Sequence, residues 1–334
     1  MTVLQAWHDG WRRALGAPWL VAGLWGMTLL LALPLAMTLR GMLAGHLGSS
    51  LAAGAAASAA NLDWWNEFLA QAAGLGQTFV PSILGFAAVI KNLSSIADAA
   101  SLPTVIASVV TAHIVVSVFL LGGVLDRLAR NRTTGSYGFF AASGVFFFRF
   151  LRLGAIAVAV YWVLFAQLHP LLFDTIFTRL THDLTVERTA FAYRVVLYAL
   201  FGVIVVSANL IFDYAKIRMV IEDRRSAIGA LVAALRFVAR QPGAAYGLYL
   251  LNTLAFLLVV AFYAVVAPGA TGGMWAVVGL FAGQVYIVLR VIVRLMFAAS
   301  QIALFQGRLA HVGYTARPIA VWPDSPAAEA IRPQ

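Results

Sequence analysis

Arg290 and Arg294 lie one helical turn apart in the sequence, and Gln301 extends the same face. Two guanidinium groups so spaced could hold an anionic headgroup or substrate through charge-assisted hydrogen bonds. The competing reading places Arg294 about 20 residues into the last apolar run, at the inner membrane interface, where arginine is ordinary. His113 falls in the middle of another charge-free run and is expected near the bilayer midplane. There it is either a neutral imidazole bonded across helices to Asn209, Asn252 or Gln284, or a relay or ligand-contact group. Arg149, Arg152, Arg236 and Arg240 stand among phenylalanines and aliphatic residues, a mixture suited to anionic lipid at an interface.

Catalytic patterns are missing from the chain. There is no H-E-x-x-H, no G-x-S-x-G and no phosphate-binding G-x-x-x-x-G-K-[ST]. The six histidines are scattered, so no metal site is expected, and without cysteine there is no thiolate chemistry. No cofactor is implied. His182 beside Asp183 reads as a solvated pair, and Asp63, Trp64, Trp65 and Glu67 as an aromatic interface anchor.

The elements that carry these residues follow from composition. Of 334 residues, 62% are hydrophobic and 11% charged, against about 45–50% and about 25% in an ordinary soluble domain. A mean hydropathy of +0.88 exceeds what one core could hide, so much of the surface must face lipid. The expected fold is therefore all-α, a polytopic membrane bundle of about six transmembrane helices with interfacial amphipathic helices. The spans fall at 16–39, 102–125, 153–173, 191–212, 243–267 and 274–297, each near the 20 residues that cross a bilayer. Residues 268–273, Pro-Gly-Ala-Thr-Gly-Gly, turn the last hairpin. His169-Pro170 is expected to bend or end the third span. Residues 40–101 form an extracytoplasmic helical cap whose stretch 68–90 could re-enter the membrane.

Charge orients the bundle. Eighteen of the 23 lysines and arginines fall in segments this arrangement puts on one side: the N-terminal helix 1–15, the elbows 126–152 and 213–241, and the last span's inner end with the tail 298–334. By the positive-inside bias that side is cytoplasmic, and both termini with it. The net charge of +10 thus flanks apolar runs rather than forming a nucleic-acid face, so no nucleic acid is expected as a partner. The first apolar run follows a polar stretch and lacks an A-x-A-like end, so an uncleaved anchor is expected.

The elbows repeat a pattern. Ile228, Leu231, Val232, Leu235 and Val238 share one helical face, with Arg236 and Arg240 on another, and Asp223 or Ser226 could cap that helix. Val3, Leu4, Trp7, Trp11 and Leu15 repeat the arrangement beside Arg12 and Arg13, and residues 137–152 do so with six phenylalanines. Asp126 precedes Arg149-Phe150 by the same interval that separates Asp213 from Arg236-Phe237. Either internal duplication or the common needs of a hairpin elbow explains this. The stretches Gly122-Gly123-Val-Leu-Asp126-Arg127, Asp213-Tyr-Ala-Lys-Ile-Arg218 and Glu222-Asp223-Arg-Arg-Ser226 resemble uncharacterised bacterial six-span membrane families, including the membrane domain of some glycerophosphoryl diester phosphodiesterases. The resemblance spans roughly 103–310, implies an architecture, and transfers no enzyme activity.

Three functions remain open on the sequence: a non-enzymatic module contacting anionic membrane lipid, a membrane-protein partner or a second copy of itself; a transporter or channel; and an enzyme using the external cap. A multi-pass protein of the bacterial inner membrane is the expected setting.

Overall fold

The structure is a computed structural model that describes residues 1–48, 50–58, 61–80, 90–91, 94–95, 97–100, 104–267 and 274–311. Regular structure among these residues is helical throughout. Thr2 starts α1 (Val3–Leu15) with a capping box: its hydroxyl accepts from Gln5 N–H while the Gln5 side chain accepts from Thr2 N–H. Pro18 opens α2 (Pro18–Leu47), where a missing N–H costs nothing. Two short helices, α3 (Ala53–Ser58) and α4 (Leu62–Gln71), follow. Then come α5 (Thr104–Arg130), α6 (Ser136–Val163), α7 (Glu187–Ile221), α8 (Ala227–Arg240), α9 (Pro242–Val266) and α10 (Met274–His311). Six helical segments are long and apolar enough to cross a membrane: those of α2, α5, α6 with its extension, α7, α9 and α10. The protein is a polytopic all-α membrane bundle.

The helices run further than the charge-free stretches, because charged side chains near an interface do not break a helix. One helix covers 136–163, so residues 136–152 of the first elbow and the start of the third span are a single rod rather than an interfacial helix followed by a span. That rod does not end at His169-Pro170. Pro170 lacks the N–H that would bond the Ala166 carbonyl, and the chain widens into π-helical turns, Leu164–Leu168 and Leu171–Ile176, before Phe177–Thr181. Helix α7 continues past Asp213 to Ile221. The expected tail at 298 is instead a continuation of α10, and Ala299 to Phe305 is the longest unbroken buried run among the described residues.

That buried stretch organises one end of the bundle, the elbow end. Helix α1 lies along it through Ala6, Gly10 and Ala14, small residues that let two backbones approach closely. Arg13 donates to the Leu128 carbonyl at 3.0 Å and to Gln306 at 3.1 Å, and Gln306 donates to the Ala129 carbonyl at 3.1 Å. These bonds serve carbonyls in the last turn of α5, which have no partner within the helix. Helices α5 and α6 pack just as closely: a Cβ on Gly123 would sit 2.6 Å from the Phe139 ring. Toward the other end, apolar side chains such as Leu30, Val158, Leu250 and Val265 point outward, and α2 buries none of its residues. A surface of that kind suits lipid rather than water.

The segment between α2 and α5 holds its own aromatic cluster. Trp64, Trp65 and Phe68 are buried together, Trp65 stacks on Phe79 at 4.5 Å, and Trp64 donates to His46 Nδ1 at 3.0 Å. His169 Nε2 meets the Ala97 carbonyl at 2.8 Å and Tyr198 donates to Asp98 at 3.0 Å, docking this segment on α7 and the extension of α6. Of the stretch 68–90 expected to re-enter the membrane, residues 81–89 lie outside the described residues, as does the hairpin turn 268–273.

Candidate anion-binding cavity

Helices α2, α5, α7, α9 and α10 line a half-open cavity of about 630 Å³, within the range of small-molecule sites. Most of its wall is apolar: Leu24 from α2, Leu120, Leu121, Val124 and Leu125 from α5, Phe256 from α9, and Ile287, Val291 and Phe297 from α10. Its charged side chains are Asp213, Lys216, Arg290 and Arg294, with His113 and Ser117 on the α5 wall. An adjoining cavity of about 270 Å³ shares His113, Ser117, Lys216 and Arg294 and reaches Tyr161 and Asn209.

Helical spacing assembles this set. Asp213 and Lys216 are three residues apart on α7, and Lys216 Nζ meets Asp213 Oδ1 at 2.5 Å. Gln301 Nε2 donates to Asp213 Oδ2 at 3.3 Å. Arg290 and Arg294, four apart on α10, face the same space, with the Arg290 guanidinium 5.5 Å from the Tyr286 ring. Among the described residues neither arginine makes an ion pair or hydrogen bond, and His113 makes no hydrogen bond. The one acid in the cavity is thus already engaged.

The polar residues expected to meet His113 are dispersed. Asn209 shares the smaller cavity with it but donates to Tyr249 at 2.9 Å and lies 3.5 Å from the Tyr161 hydroxyl. Asn252 donates to Ser300 at 3.0 Å in the buried α9–α10 contact, and Gln284 accepts from Trp25 at 2.9 Å. These three hold helices together, while His113 faces the cavity with Lys216 and Arg294. Helix α7 continues eight residues past Asp213 and places that carboxylate in the cavity wall.

The elbow arginines divide as well. Arg149 pairs with Asp223 at 2.6 Å and lies over the Phe146 ring at 5.2 Å, and Arg152 donates to the Arg225 carbonyl at 3.2 Å. Both fasten α6 to the loop before α8. Ser226 caps α8, accepting from Gly229 N–H at 3.1 Å. Helix α8 buries Ala227, Ala230, Ala234 and Val238, while Ile228, Val232 and Leu235 point outward beside exposed Arg236 and Arg240. Among the described residues those two arginines have no ion pair. In the loop, Glu222 binds Arg218 at 2.7 Å and also pairs with Arg224. Burial works to raise the Glu222 carboxyl, but hydrogen bonds and charge from both arginines outweigh it and hold it below the usual carboxylate range.

Among the described residues no group of three metal-ligating side chains comes together. No family model, curated protein or solved structure matches the chain.

Proposed function

We propose that the protein is a non-enzymatic membrane module that holds an anionic lipid headgroup in the basic cavity of its bundle. One observation carries this: Lys216, Arg290 and Arg294 converge on an apolar-walled space whose lone acid is bound to Lys216. Both arginines keep exposed surface, so a ligand can reach them, and charges set among apolar walls are paired or serve a ligand. The elbows support the reading from outside. Ile228, Val232 and Leu235 with Arg236 and Arg240, and Phe140 and Phe148 on α6, present apolar and basic groups where headgroups lie.

In this proposal the elbow end is cytoplasmic, as the concentration of arginine there suggests, and the anionic inner leaflet of a bacterial inner membrane supplies the lipid. The kinship proposed with phosphodiesterase membrane domains adds only architecture. The cavity's place within the bundle also favours a second reading, anion transport. Anion-dependent flux into sealed vesicles would support it.

The test uses the full chain in neutral detergent. Phosphatidylglycerol is expected to raise the thermal midpoint more than phosphatidylcholine, and Arg290→Gln with Arg294→Gln to abolish the difference. Equal effects of the two lipids, or a difference that survives both substitutions, overturns the proposal.

A further inference from the structure

The charge balance of the cavity names a class of headgroup, an inference that rests on the function proposed above. With a neutral imidazole at His113, the lining carries three positive groups and one negative, a surplus of two. Asp213 makes its polar contacts with Lys216 and Gln301 and none within hydrogen-bond distance with Arg290 or Arg294. The two arginines project from adjacent turns of α10, where neighbouring side chains start only about 5–6 Å apart and can converge on one group. Lys216 and His113 line the same space from α7 and α5.

A phosphate diester brings one negative charge and two terminal oxygens, and leaves this lining one positive charge in excess. A phosphate monoester brings close to two charges near neutral pH and three terminal oxygens. It closes the balance and offers an oxygen to each arginine and one to Lys216 or His113. We infer that the cavity selects a phosphate monoester dianion, with the apolar wall of Leu24, Val124 and Phe256 receiving whatever chain is attached. Charge-assisted hydrogen bonds are the strong ones in such a setting, so the extra charge and oxygen should separate monoester from diester by about tenfold or more in affinity.

Titration calorimetry on the full chain in neutral detergent tests this with four probes: short-chain phosphatidic acid, short-chain phosphatidylglycerol, glycerol phosphate and inorganic phosphate. Phosphatidic acid is expected to bind about tenfold or more tightly than phosphatidylglycerol. Arg290→Gln or Arg294→Gln, each checked for unchanged size-exclusion behaviour, should remove most of that preference. If glycerol phosphate binds as well as phosphatidic acid, the ligand is a soluble monoester. If only the acylated monoester binds, it is a lipid. Both outcomes support monoester selection, the first of them against the lipid reading, and a preference that survives the loss of either arginine overturns its assignment to this cavity. Equal binding of the two lipids overturns monoester selection while leaving the anionic-lipid reading in place. Binding of none of the four overturns both.

Discussion

Gly10→Ala should loosen the grip of α1 on the buried end of α10. A Cβ on Gly10 would lie 2.6 Å from Ser300 Cβ, 2.8 Å from Ser300 N and 2.9 Å from Ser300 Cα. Two of those atoms are backbone, and Ser300 and its neighbour Ala299 are both 0% exposed, so α10 has no room to retreat. Helix α1 must move instead, straining the bonds of Arg13 to Leu128 and Gln306. Overpacking of this kind costs about 1–3 kcal/mol. The gain in helix propensity from glycine to alanine returns at most about 1 kcal/mol, so a net loss near 1–2 kcal/mol is expected. Gly202→Ala on α7 is the control, since a Cβ there meets nothing within 4 Å. Unfolding of the purified protein by titration with dodecyl sulfate reads both. If Gly10→Ala proves as stable as Gly202→Ala, the close contact between α1 and α10 is refuted.

Three further outcomes are expected. Ser300→Ala should cost more than Asn252→Leu in the same assay, because alanine strands the buried Asn252 amide, whereas leucine removes an amide whose oxygen already lacks a partner among the described residues. An interhelical bond of this type averages about 0.6 kcal/mol, so Asn252→Leu should fall at or below that value. Glu222→Gln should destabilise at neutral pH. Because the folded carboxyl titrates below the unfolded one, its contribution is full above the unfolded value and fades as pH falls through the folded value, so melting curves of variant and parent should converge in acid. Topology reporters fused after Arg132 and Arg225 should report cytoplasm and one near His182 the opposite side, and an external signal at Arg225 would invert the proposed orientation.

The spans were legible because lipid imposes a simple rule, about 20 apolar residues per crossing, and runs such as 14–39 and 99–125 obey it. Helix ends were not, since Asp126 and Asp213 lie within helices whose ladders continue beyond them. The inward face of α1 was hidden for a related reason. Leu4 and Leu15 belong to the apolar face expected of an interfacial helix and are exposed, while the packed stripe is Ala6, Gly10 and Ala14. Where backbones touch, small size outweighs hydrophobicity. In the cavity, Arg290, Arg294 and Gln301 shared a face on the sequence, and His113 stood out by its depth. Lys216 did not, because it read as one more elbow cation, although its three-residue spacing from Asp213 was the available signal. Which helix would face which could not be read, so His113 was paired with asparagines that in fact join other helices.

Native mass spectrometry of the full chain, released from neutral detergent after incubation with equal amounts of phosphatidic acid, phosphatidylglycerol and phosphatidylcholine, tests most directly whether the basic cavity holds an anionic headgroup. One anionic lipid should stay bound in preference to phosphatidylcholine. Arg290→Gln with Arg294→Gln should abolish that retained lipid, while Arg236→Gln with Arg240→Gln on the outer face of α8 leaves it bound. Retention unchanged by the loss of Arg290 and Arg294, or no preference for the anionic lipids, would contradict the account.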